Sequence, residues 1–285
     1  MAPMLWLKPR LVPRVWGGRR LATWFGEAME EPVGEAWLVF DENPVLKGPW
    51  VGRPLVEVLG ELGPGFLGPR AAGAFPHLPL LVKLIEAQAW LSVQVHPDDA
   101  YARAHEAKSG FSGKHEAWVV LKAAPGAKIV YGLKRAVDRN TLAEAAKSGR
   151  ILELLNFVPV EEGDVIYVPA GVIHALGPGL LVLEVQQRSD LTYRLYDYGR
   201  GRALHLEKAL DVARLEPVPL QKHRLTPGVF LKTPHFSLAA VEGAFQAPKG
   251  SAAALSRLFA AAPGGVLAAG AEATLPEGRW LAAWV

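Results

Sequence analysis

Apolar positions along the 285-residue chain fall mostly in short runs broken by glycine and proline, a pattern of strands rather than long helices. Leu80–Ile85 and Leu91–Val95 read as buried strands. Ala117–Leu121 and Lys128–Leu133 read as two more, separated by Pro125-Gly126. Pro97-Asp98-Asp99 opens a short helix running to about Ala107, with Asp98 or Asp99 placed to cap it. From Asp138 to Leu155 the period changes: Leu142, Ala145, Ala146, Ile151, Leu154 and Leu155 recur at helical spacing. Strand patterns return at Asp164–Val168, Gly179–Gln187 and Leu191–Leu195. A helical stretch near Leu206–Ala213 follows, and the tail from about Lys222 is strand-like and rich in Ala and Gly. Many short strands and few helices predict a mainly β fold, a jelly roll or sandwich rather than a doubly wound sheet. The expected division is one domain over 1–220, with its helical segment near 138–156, and a smaller β region over 221–285.

Composition narrows the chemistry. The net charge of +3 comes without a Lys/Arg run of the kind that marks a nucleic-acid surface. There is no cysteine, which excludes disulfides and thiolate ligands, so any metal must be held by His, carboxylate or amide groups. Lys8, Arg10 and Arg14 and prolines 3, 9 and 13 interrupt the first twenty residues. They leave no apolar core for a signal peptide or membrane span, and the expected compartment is the cytoplasm.

Three segments carry candidate chemistry. In Leu91-Ser-Val-Gln-Val-His-Pro97, strand alternation projects Ser92, Gln94 and His96 to one side and the apolar residues to the other. The competing reading is the solvated face of an edge strand. In Glu162-Gly-Asp-Val-Ile-Tyr-Val-Pro-Ala-Gly-Val-Ile-His174, a turn, an apolar strand and a Pro-Ala-Gly turn deliver His174 into the next strand. The spacing of Gly163, Pro169, Gly171 and His174 resembles the second cupin motif, although Pro178 stands where that motif usually has Asn. In Gly113-Lys-His-Glu-Ala-Trp118, Glu116 enters an apolar strand and alternation turns His115 the other way. Two histidines, a carboxylate and an amide form an N/O donor set that suits zinc and also admits iron or manganese.

These blocks resemble type I mannose-6-phosphate isomerase in its short bacterial form, a cupin enzyme: Ser92-Val-Gln-Val-His-Pro-Asp-Asp99, Gly113-Lys-His-Glu116 and Pro169-Ala-Gly-Val-Ile-His174. The same order continues in Trp16-Gly-Gly18, Gly34-Glu-Ala-Trp37, Pro79-Leu-Leu-Val-Lys83 and Glu184-Val-Gln-Gln-Arg-Ser-Asp-Leu-Thr-Tyr-Arg-Leu-Tyr-Asp197, so the likeness spans about residues 10 to 215. Arg188 departs from a more usual Asn. The resemblance implies a cupin barrel with helical insertions and one Zn²⁺ per chain on Gln94, His96, Glu116 and His174. It implies catalysis by Arg194, a substrate pocket including Ser92, Lys83, Lys114 and Glu184, and a sugar-phosphate substrate for a monomer or weak homo-oligomer. The alternatives are a cupin that binds sugar phosphate without turning it over, and a metal-dependent cupin oxygenase.

Overall fold

A computed structural model describes residues 4–285, and two compact units emerge from it. One holds the chain up to Glu86, Leu183–Arg188 and His223–Val285; the other holds Ala87–Val182 and Ser189–Lys222. This division differs from a boundary at 220/221, because the tail and the N-terminal segment share one unit. The physical reason is strand pairing between distant segments: Met4–Leu7 pairs antiparallel with Gly264–Leu267.

The unit of Ala87–Val182 and Ser189–Lys222 contains a five-stranded sheet. Its order is Tyr193–Tyr196, Val93–Val95, His174–Leu176, Lys128–Leu133, Leu155–Pro159. Against it stands a second antiparallel layer in which Glu116–Ala123 pairs with Asp164–Val168. The layers interlock: the Tyr131 hydroxyl donates to the Tyr167 carbonyl at 3.0 Å, and Trp118 meets His174 edge-on at 5.5 Å between ring centroids. This is the expected jelly-roll arrangement, with strand interiors apolar on both layers.

The helices of this unit lie near the expected segments, except that Leu155, read as helical, begins the strand Leu155–Pro159 and extends the five-stranded sheet. Asp99–His105 begins at Asp98, whose carboxylate accepts from the Tyr101 N–H at 2.8 Å. Arg139–Lys147 and Ile151–Leu154 bury Leu142, Ala145, Ala146, Ile151 and Leu154 in a core that also holds Val93, Val95 and Ile173. Leu206–Val212 closes the same core through Ala209 and Leu210.

The other unit contains a six-stranded antiparallel sheet. Its order is Met4–Leu7, Gly264–Leu267, Ala253–Arg257, Trp280–Trp284, Ser237–Val241, Gly228–Lys232. It also contains Arg10–Gly18 paired with Val33–Val39, which pairs in turn with Leu80–Ala87. The helix Leu55–Leu62 buries Leu55, Val58 and Leu59. The N-terminal strands and this helix were not among the elements expected from the sequence. Pro13 and two register shifts interrupt the pairing of Arg10–Gly18, which blurs its alternation.

Candidate metal centre

Strand register gathers the functional side chains. Tyr131 lies opposite His174, His174 opposite Gln94, and Gln94 opposite Arg194 across four neighbouring strands. Directly opposed residues project to the same face, so these four form one row inside the barrel. His96 continues the face of Gln94 two residues on, and Glu116 enters from the other layer as the first residue of its strand.

A close approach at Gly113 makes this entry possible. A Cβ there would lie 2.4 Å from the carbonyl carbon of Asp98, so no side chain fits. Gly113 N–H donates to Asp99 Oδ1 at 2.8 Å and Lys114 N–H to the Pro97 carbonyl at 2.9 Å. These bonds seat the Glu116 segment directly beside His96.

The donor atoms of His96, Glu116 and His174 lie within 4.8 Å of one another, and all three residues are buried. Glu116 stands 3.4 Å from His96 Nε2 through Oε2 and 3.3 Å from His174 Nε2 through Oε1. The imidazoles are held from behind. His96 Nδ1 donates to the Leu191 carbonyl at 2.9 Å, and His174 Nδ1 to the Val172 carbonyl at 2.8 Å. A carbonyl only accepts, so each Nδ1 carries the proton and each neutral ring presents the Nε2 lone pair to the cluster. Burial, helped by the Lys114 charge, pushes the His96 pKa down to about 3 and keeps that ring neutral. Burial alone would raise the pKa of Glu116; Lys114, His96 and His174 outweigh it and hold the carboxyl well below its usual value.

Lone pairs from two rings and a carboxylate therefore point at a common volume. Among the described residues the cation at this cluster is the Lys114 ammonium, which donates to Glu116 Oε2 and lies 3.0 Å from His96 Nε2. A divalent ion fits such a set, because it satisfies converging acceptors that an ammonium bridges only on one side. Gln94 stands at the edge with Nε2 3.3 Å from His174 Nε2, while Ser92 Oγ donates to Gln94 Oε1 at 3.2 Å. Ligation by this amide requires Oε1 to turn inward. Ser92 accommodates either orientation, since a hydroxyl can donate or accept.

Of the expected site residues, Gln94, His96, Glu116, His174, Lys114 and Ser92 come together here. Arg194 joins them through its register with Gln94, its backbone N–H donating to His205 Nδ1 at 3.2 Å and its guanidinium to the Ala203 carbonyl at 3.3 Å. His115 turns elsewhere, with Nδ1 2.9 Å from the Tyr167 hydroxyl. Lys83 and Glu184 belong to the other unit and form a buried ion pair at 3.0 Å. Around them lies a network that went unassigned from the sequence. Arg14 makes a two-pronged contact with Glu35 at 3.1 and 3.2 Å, and Trp37 Nε1–H donates to Glu35 at 2.8 Å. Burial would raise the pKa of Glu35, but Lys83 and Arg14 bring it below its usual value. The alternation of Glu35 with Trp37 in Gly34-Glu-Ala-Trp37 was the available signal.

A two-layered β barrel that gathers two imidazoles and a carboxylate in its interior defines a cupin-type metal protein. A profile of the type I phosphomannose isomerase catalytic domain matches residues 4–117. The mannose-6-phosphate isomerase of Streptococcus mutans is 39% identical over 255 residues, covering 84% of this chain and 78% of that protein. The chain belongs to the type I phosphomannose isomerase family. The crystal structure of the mannose 6-phosphate isomerase from Bacillus subtilis superposes with a TM-score of 0.79 at 29% identity over 99% of both chains. A zinc-bound mannose 6-phosphate isomerase shares the fold, with a TM-score of 0.77 at 16% identity and 99% of both chains covered.

Proposed function

We propose that the chain is a zinc-dependent aldose–ketose isomerase that interconverts mannose 6-phosphate and fructose 6-phosphate. The observation that carries this reading is the convergence of His96, Glu116 and His174, with both rings fixed by backbone carbonyls so that Nε2 faces inward. In this reading those three residues hold one zinc ion and Gln94 completes the set. The bound ion supplies a Lewis acid for the sugar's carbonyl and hydroxyl oxygens.

The chain's own residues supply charge and orientation. The reaction moves a proton between C1 and C2 through an enediol or enediolate, so positive charge is needed where the oxyanion develops. Arg194 is permanently charged and faces the same side as Gln94, which suits that role. Lys114, which pairs with Glu116, would supply an ammonium for the substrate's oxygens beside the cluster. Ser92 orients the Gln94 amide. Lys83 and Glu184 are read as sugar-phosphate contacts.

No helix among the described residues is long and apolar enough to cross a membrane. The chain is read as a cytoplasmic enzyme acting on a small sugar phosphate, without nucleic acid, as a monomer or weak homo-oligomer.

A coupled assay that follows fructose 6-phosphate formed from mannose 6-phosphate tests the reading. Turnover is expected to vanish on chelation and return with Zn²⁺. Sugar binding without turnover would instead mark a non-catalytic binder, and iron as the only activating metal would mark an oxygenase-type cupin.

A further inference from the structure

The six-stranded sheet carries a cavity that the isomerase reading does not use. Across its strands, Trp6 faces Gly265, Gly265 faces Leu255, and Arg257, two residues on from Leu255, faces Trp280. Register therefore puts Trp6, Arg257 and Trp280 on one face, at the end of a core built around Leu255, Leu267 and Trp280. The open mouth of this core is a cavity of about 270 Å³ whose floor and walls include Trp6, Leu46, Ala262, Pro263 and Trp280. The two indoles meet edge to face, with centroids 5.7 Å apart, and form an aromatic corner.

The walls are apolar almost throughout, and the indole N–H of Trp280 is already given to the Pro276 carbonyl at 2.9 Å. A hexose seated there would leave its hydroxyls without partners, at a cost that stacking on two indoles does not repay. Two cations stand at the rim. Lys47 Nζ lies 5.3 Å from the centre of the Trp6 ring, and Arg257 packs its guanidinium against Gly278. A Cβ at Gly278 would lie 2.8 Å from an Arg257 nitrogen, so the glycine is what lets the guanidinium lie there. Among the described residues neither Lys47 nor Arg257 makes an ion pair. The volume lies just below the roughly 300–1,000 Å³ of ordinary small-molecule pockets, which suits one ring with a short arm.

We infer that this cup on the six-stranded sheet binds a small aryl carboxylate, with its ring in the corner between Trp6 and Trp280 and its carboxylate between Lys47 and Arg257. An apolar cup with a few convergent charges fixes both the body and the end of such a molecule.

Calorimetric titration of the zinc-loaded protein with phenylacetate tests this, beside 2-phenylethanol as the neutral analogue and acetate as the ringless one. Saturable one-to-one binding of phenylacetate is expected, with both analogues weaker by about ten-fold or more. Exposed Lys47→Glu and half-buried Arg257→Glu, each made singly, should weaken phenylacetate by about ten-fold while circular dichroism stays native. Ala262→Trp, which fills the cup, should abolish binding while circular dichroism stays native. Absence of saturable binding at millimolar phenylacetate overturns the inference, and so does equal affinity for 2-phenylethanol. Binding undiminished by the charge variants, as a carboxylate held on zinc would give, overturns it as well.

Discussion

In one unit Lys83 lies 3.0 Å from Glu184, and Arg14 and Trp37 both bond Glu35. In the other, His96, His174 and Glu116 turn lone pairs toward a shared volume that the Lys114 ammonium borders. Both clusters are buried polar groups and both face the cost of leaving water. The first balances its charges internally: two cations stand against two carboxylates. The second collects acceptors in excess of donors and is completed by a ligand. A closed polar network marks structure or substrate contact, whereas an acceptor-rich one marks a place for a cation.

Substitutions break this contrast in measurable steps. Glu116→Gln should have the largest effect. It removes the only anionic donor, so zinc content by mass spectrometry should fall to background and kcat by about a thousand-fold or more. Retained zinc with near-native turnover would dissolve the distinction between the clusters.

Lys83→Met attacks the balanced network. It removes the ammonium 3.0 Å from buried Glu184 and should lower unfolding stability by about 3–5 kcal/mol in urea titrations. Pairing it with Glu184→Leu should recover most of that loss while leaving zinc content untouched. Failure of the double variant to recover would show that packing rather than charge is lost.

Arg194→Ala should keep zinc and lose about a hundred- to a thousand-fold in kcat, since a fixed charge at a developing oxyanion is worth that much. Unchanged turnover removes Arg194 from the chemistry. Gln94→Ala should have the smallest effect, a zinc dissociation constant raised about ten-fold, read by competition with a fluorescent chelator. No change would place Gln94 beside the metal rather than on it.

The site was more legible than the frame around it. Asp164–Val168 has the bounds its apolar run announced, and the helix at Asp99 begins at the expected cap. His96, Glu116 and His174 were readable because strand alternation and a short turn fix where each side chain points. The Leu191 and Val172 carbonyls that set the imidazole tautomers were not, since backbone acceptors carry no residue signature. Glu35 was missed for another reason. Its partners lie 21 residues upstream and 48 downstream, at Arg14 and Lys83, and only the sheet brings such distances together. The tail was legible as strands but not in its pairing, because an Ala/Gly-rich strand gives few cues about register.

One trait of the donor set reaches beyond geometry. With no sulfur among its ligands, this centre has nothing to lose to sulfenic acid or disulfide formation, the routes by which oxidants dismantle thiolate sites. Imidazole and carboxylate do not enter that chemistry. They also grip zinc less tightly than thiolates and admit neighbouring divalent metals, so occupancy follows whatever ions the surroundings supply. Insensitivity to thiol-directed oxidation and weaker retention of the ion both follow from the same choice of ligands.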